Sequence, residues 1–270
     1  MVVVTGGLGT GQLLLGTSDP SGFTLFLVAS ILISLAVLPV SLTRIQAPEI
    51  ELPSALPFAL IARVAPLGIA GAFVTGLANG AILGMGAVYA KEAGFSVGRT
   101  AIFMALILAG AVLFQWPIGS LSDKLSRRTM ILSVTTIAGL VALIAAAVEP
   151  MGSALLVTAA IIGGFSFPMY SLSVSHTNDL IPTEQLVPAS AVLVFTTAVG
   201  SVLGPPLAAV GIDRLGPKGF WLTVAFTHAT LGIYAAYRLV RRRVLPIDRH
   251  RPWARVPSRS SALISGLYEE

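Results

Sequence analysis

The chain has 270 residues, of which 55% are hydrophobic and 11% charged, with a formal net charge of +5 and no cysteine. A soluble domain carries roughly 25% charged residues, so this composition excludes an ordinary soluble fold, and the missing cysteine excludes any disulfide framework. A chain this apolar reads as a polytopic membrane protein.

The first stretch, MVVVTGGLGTGQLLLG, pairs a β-branched run with glycines, as a dinucleotide-binding turn does. The G-x-G-x-x-G spacing fails, because the required glycines at positions 12 and 14 are Gln12 and Leu14. No basic region precedes the apolar stretch, as a signal peptide would require. Residues 1–18 carry no charge, but Val2 to Gly16 rises only about 22 Å as a helix. The expectation is most of a spanning helix lacking its cytoplasmic end, with Gly7, Gly11 and Gly16 as small residues for close helix packing.

A spanning helix needs about 20 apolar residues. Phe23–Leu42 supplies them, followed by Val64–Ala90, Thr100–Leu121, Thr129–Val148, Ser153–Val174, Val187–Ile212 and Gly219–Tyr237. Short polar links between these runs make neighbours antiparallel. Seven complete spans and an all-α, polytopic helical bundle are expected, since lipid demands that backbone amides be satisfied within each helix. Thirteen Lys and Arg fall on one side: Arg44, Arg63, Lys124, Arg127, Arg128 and eight arginines from Arg238 to Arg259. Only Lys91, Arg99, Arg214 and Lys218 fall on the other. The positive-inside rule then places the C-terminus and the loop at Lys124 in the cytoplasm, in a multi-pass protein of the cell's inner membrane.

The most specific stretch is GSLSDKLSRRT, from Gly119 to Thr129. It resembles the signature loop of the major facilitator superfamily, G-x-x-x-D-[RK]-x-G-[RK]-[RK], on Gly119, Asp123, Lys124, Arg127 and Arg128, with Ser126 where the pattern has glycine. GGFSFPMYSLSVSHTND and AVGSVLGPPLA resemble a YcaD-like bacterial branch of the same superfamily. The resemblance implies that the loop joins the eighth and ninth helices, and that the chain is N-terminally truncated, running from the end of helix five through helix twelve. It divides the chain into a remnant of the N-terminal half (1–42), a cytoplasmic linker (43–63), a six-helix bundle (64–240) and a basic tail (241–270). In the loop, Gly119 would let two helices approach and Asp123 would face the positive N-terminus of a neighbouring helix. The basic residues would pair with acids or lipid headgroups, forming a latch made in one conformation and broken in the other.

Within the spans, Gly76, Gly80 and Gly84 form a small-residue stripe with Ala72 in phase, read as tight packing first and a gating hinge second. Gly200, Gly204, Pro205 and Pro206 are read as either a rocking point or a static kink. Asn79 either bonds a neighbouring helix or faces an aqueous cavity. Gln115, Trp116 and Tyr170 are candidates for the same cavity, Trp116 alternatively an interfacial anchor and Tyr170 an interface tyrosine; Tyr170 lies beyond Gly163, Gly164 and Pro168, where the helix can bend. His228 is the only ionisable residue well inside a span, a poor substitute for a proton-coupling acid. His176, Asn178, Asp179 and Glu184 match no metal pattern and read as a solvated loop whose acids pair nearby basic residues.

The resemblance implies a secondary active transporter of a small solute working by alternating access, with lipid, a solute and a coupling ion as partners and no cofactor. The alternative is a non-transporting membrane fragment or partner subunit, one that self-associates or needs a complementary half; a membrane-embedded enzyme is the weakest reading. The basic tail is assigned to topology and anionic lipid rather than to nucleic acid.

Overall fold

The computed structural model describes residues 2–42, 56–149 and 152–241. The expected linker therefore falls outside the described residues between 43 and 55, and the basic tail from 242 onward. Ten α-helices and one short 3-10 turn (Thr183–Gln185) make up the described residues, with no strand among them. They are α1 (Val2–Leu14), α2 (Thr24–Ser41), α3 (Phe58–Val64), α4 (Pro66–Glu92) and α5 (Val97–Lys124), then α6 (Arg127–Val148), α7 (Gly152–Ser166), α8 (Met169–Asn178), α9 (Leu186–Leu215) and α10 (Lys218–Arg241).

Local chemistry sets the helix boundaries. The fourth helix starts at Pro66, two residues later than expected, because α3 breaks at Ala65 and a proline at the first helical position needs no amide partner. Ser96 caps α5 by accepting from the Arg99 amide, and Ser126 caps α6 by accepting from the Thr129 amide. α4 runs into Gly94 (φ 77°) and α9 into Gly216 (φ 68°), while α6 ends on Glu149 in the left-handed region at φ 49°. Between α1 and α2, the Asp19 carboxylate accepts from the Ser21 amide at 2.9 Å and hydroxyl at 2.8 Å, bonds that hold its pKa below the usual carboxylate value.

Among the described residues six segments are long and apolar enough to cross a membrane: α2, α4, α5, α6, the α7–α8 pair and α9 with its preceding 3-10 turn. The seventh expected span lies in α10, whose 24 residues give the length but not the apolar character. Thr223, Thr227 and His228 dilute it, and all three are buried against neighbouring helices rather than facing lipid. Large side chains such as Leu113, Phe195, Val202 and Ile233 point outward. In lipid this is the natural arrangement, because tails are as apolar as leucine and helices associate by fit rather than by hydrophobic exclusion.

α4 packs chiefly on α9, α5 on α7, and α6 on α10, with α8 and α10 also against α4. One core cluster gathers Tyr89, Phe103, Phe220 and Trp221 near the end bearing Lys91 and Lys218, where Tyr89 stacks on Phe220 at 4.8 Å. A second gathers Leu67, Ile118, Ile131, Met169 and Leu231 toward the opposite end. α1 leans on α5, and α2 buries none of its residues. In α1 the glycine that makes contact is Gly9, whose Cβ position lies 3.3 Å from the Leu108 Cβ. The packing expected of Gly7 and Gly11 is corrected, since both face open space, and Gly16 meets only its own turn.

Candidate functional site

The signature loop folds as a tight corner between α5 and α6. Its centre is Arg127, in the first turn of α6 yet only 4% exposed. Its Nη1 donates to the Ser122 hydroxyl at 2.8 Å and to Asp123 Oδ1 at 2.8 Å, and its Nε donates to Asp179 Oδ2 at 3.3 Å. The guanidinium thus joins the last turn of α5 to the C-terminal end of α8, 52 residues away in sequence. Asp179 is nearly sealed, its side chain 2% exposed, whereas that of Asp123 is 36% exposed. The solvated acid cluster read from sequence is corrected at Asp179, which does pair a basic residue but does so buried. Lys124 is exposed and Arg128 buried.

Two details of the signature stand out. Gly119 would meet nothing within 4 Å among the described residues if it carried a Cβ. Ser126, the departure from the family pattern, sits at φ −59° and uses its hydroxyl as the α6 cap, so the position does not require glycine. Asp123 bonds Arg127 within its own loop.

The stripe on α4 is a packing seam. A Cβ at Gly80 would stand 2.5 Å from the Ser201 carbonyl oxygen, and one at Gly84 would stand 2.8 Å from Pro205 Cγ. Gly76 abuts the Thr197 carbonyl, while from the other side Gly200 and Gly204 abut the Phe73 and Leu77 carbonyls. α9 remains one continuous helix through Pro205 and Pro206. The break comes instead in the preceding span, at Phe167–Pro168, where α7 gives way to α8. Gly163 and Gly164 do not make that bend: Gly163 receives the Ile107 carbonyl and Gly164 the Phe114 ring.

The four cavity candidates are dispersed. Asn79 is half-buried on α4, and its buried Oδ1 accepts no hydrogen bond. Gln115 Nε2 donates to the Ser171 hydroxyl at 3.1 Å, tying α5 to α8 beside the half-buried Tyr170. Trp116 is 77% exposed and points away from the bundle interior. A groove of about 560 Å³ between α6 and α10 includes none of the four.

Sequence reasoning missed what surrounds His228. The side chain is 1% exposed, with Nδ1 3.1 Å from Thr135 Oγ1 and Nε2 2.9 Å from Ser166 Oγ. The Thr135 hydroxyl also donates to the His228 carbonyl at 3.0 Å. Its single proton is committed there, so it accepts from Nδ1–H, while Nε2 bonds the Ser166 hydroxyl. The imidazole therefore pins α6, α7 and α10 together. Among the described residues no group of three or more His, Asp or Glu side chains is placed to hold a metal ion.

The sequence profile described as Major Facilitator Superfamily matches residues 68–267. The chain is 28% identical over 232 residues to a Salmonella arizonae protein named "Uncharacterized MFS-type transporter YcaD", covering 83% of this chain and 58% of that one. Proteins of the same name from Salmonella paratyphi B and Salmonella newport are 29% identical over the same shares. The chain thus spans 58% of the length of these curated relatives. No solved structure matches. With the signature corner and a family match over most of its length, the chain belongs to the Major Facilitator Superfamily.

Proposed function

We propose that this chain forms part of a secondary transporter that moves a small solute across the inner membrane by alternating access, with the Arg127 corner as its cytoplasmic latch. The observation that carries the reading is the Arg127 guanidinium shared between Asp123 and Asp179. It holds the α5–α6 turn to the end of α8 through bonds that a modest movement of either helix breaks. Asn79, Gln115 and Tyr170 are the residues we assign to the solute path, and α3–α10 the bundle that rocks against a partner half. Asn79 Oδ1, an acceptor with no bond among the described residues, suits a donor on the solute. The thirteen-to-four basic asymmetry supports a cytoplasmic C-terminus and a cytoplasmic Lys124.

A second reading, in which the chain is a subunit needing a complementary half, is favoured by α2, none of whose residues is buried. The absence of cysteine allows one experiment to test the carrier reading and the orientation. Single cysteines at positions 79 and 170 are probed with an impermeant maleimide in right-side-out and inside-out vesicles. Alternating access gives labelling from both sides, with Asp123→Asn shifting the ratio. Labelling from one side only, unchanged by Asp123→Asn, would refute the carrier reading. A cysteine at 124 that labels from outside intact cells would refute the orientation.

A further inference from the structure

We infer that the broken span is a hinge with a fixed half and a swinging half: His228, through Ser166, is the positioning residue that fixes α7, and the Gln115–Ser171 bond is the clamp whose release lets α8 swing. The inference concerns the fold itself and does not rest on the transport reading.

The hinge has a chemical cause. Pro168 has no amide proton, so the helical bond it would give the Gly164 carbonyl is missing, and its ring crowds the turn before it. The proline keeps helical angles, φ −64° and ψ −15°, yet α7 ends at Ser166 and α8 begins at Met169. Two rods thus meet where the ladder lacks a rung.

A side-chain hydrogen bond stands on each side of that gap. On the α7 side, the fully buried Ser166 bonds His228 Nε2 at 2.9 Å, while Thr135 of α6 holds the other ring nitrogen at 3.1 Å. The imidazole is sealed from solvent, so water does not readily replace either bond. On the α8 side, Ser171 accepts from Gln115 Nε2 at 3.1 Å, and both residues are half-buried. The first bond is braced by a third helix; the second stands alone, within reach of a polar competitor.

The packing repeats this asymmetry. α7 is seated on α5 main chain to main chain, with Gly163 receiving the Ile107 carbonyl and Gly110 receiving the Ala160 carbonyl. α8 instead meets α4 through side chains, the Thr177 hydroxyl at Gly68 and the Ser173 hydroxyl at Gly71. Both hydroxyls donate within their own helix, to the Ser173 and Met169 carbonyls. Such contacts lack a directional bond between the helices and permit the small sliding of a shear motion. At its far end α8 carries Asp179, where Arg127 opposes the swing.

Hydrogen–deuterium exchange of the purified full chain in lipid nanodiscs, read by mass spectrometry on peptides from α7 and α8, tests the assignment. Gln115→Leu and Ser171→Ala should each speed exchange in α8 about fivefold, in keeping with the loss of one net hydrogen bond, and leave α7 unchanged. His228→Asn keeps a polar atom at the Nδ1 position for Thr135 but none at Nε2, and should speed exchange at the end of α7 about fivefold. His228→Gln, whose amide reaches the Nε2 position, should keep α7 protected; a histidine that only fills space would make the two variants alike. Ser166→Ala breaks the same bond from the α7 side, should reproduce the His228→Asn pattern, and replaces it if that variant does not fold. Exchange that rises equally in α7 and α8 on Ser171→Ala, or an α8 that stays fully protected, would overturn the proposal. So would equal loss of α7 protection in His228→Asn and His228→Gln, or none in Ser166→Ala.

Discussion

Removing Asp179 should destabilise the fold several times more than removing Asp123, although both carboxylates bond the same guanidinium. The Arg127–Asp179 contact is 3.3 Å long, between side chains 5% and 2% exposed. At an effective dielectric constant of ~20, unit charges at that separation attract by about 5 kcal/mol. Most of that is offset by the cost of burying two ions, so the pair itself adds little; deleting one member strands the other and costs about 3–5 kcal/mol. Asp179→Ala falls in this range, reduced toward its lower end because Asp123 and Ser122 still hold Arg127. Asp123, 36% exposed and reaching Arg127 across the α5–α6 corner, resembles a surface pair worth about 0.2–1 kcal/mol. Reversible unfolding of the purified chain in mixed micelles, titrated with sodium dodecyl sulfate, measures both. A loss below 1 kcal/mol for Asp179→Ala, or an equal loss for Asp123→Ala, would show that the buried ion pair does not organise this corner.

Other substitutions should separate residues that look alike in sequence. Gly80→Ala should cost at least about 2 kcal/mol, because its Cβ meets main chain at 2.5 Å and overpacking has no flexible side chain to displace; Gly119→Ala, facing open space within a helix, should stabilise by about 0.5–1 kcal/mol in the same titration. His228→Ala should cost about 2–4 kcal/mol by leaving the Thr135 and Ser166 hydroxyls short of partners in a buried site, and the double variant with Ser166→Ala should lose less than the two single losses added together. Ser126→Ala should cost about 1 kcal/mol through the lost α6 cap, whereas Ser126→Gly, which restores the family pattern, should cost only a few tenths.

The contrast between Gly80 and Gly119 shows where sequence reading stops. Both are glycines in apolar helices, but only the neighbouring helix decides whether a Cβ would collide, and that neighbour is more than a hundred residues away for Gly80. Span positions were legible because apolar length between charges is written into consecutive residues; every expected span coincides with a helix or, at Pro168, with a broken one. Arg127 was legible as part of a motif, yet its partner Asp179 read as a solvated loop acid because burial depends on how α8 ends. The polar residues of α10 lowered its hydropathy and hid the reason they are there: Thr227 and His228 are buried among other helices, and His228 hydrogen-bonds two of them in place of lipid contact. Gly7 and Gly11 looked like the packing glycines of α1, but Gly9 meets α5, since helix rotation is not fixed by a run so uniformly apolar.

The interruption at Phe167–Pro168 gives the Arg127 corner a mechanical setting. Past that break, α8 is a separate ten-residue rod, about 15 Å long at ~1.5 Å per residue. One end meets the interruption and the other carries Asp179. A tilt of about 10° at the pivot would sweep the far end through roughly 2.5 Å over that length, more than a 3.3 Å ion pair can stretch and remain bonded. Gln115 grips the same rod near its pivot, through Ser171. A small push beside Tyr170, deep in the bundle, would thus reach the membrane surface magnified, as the release of a single carboxylate.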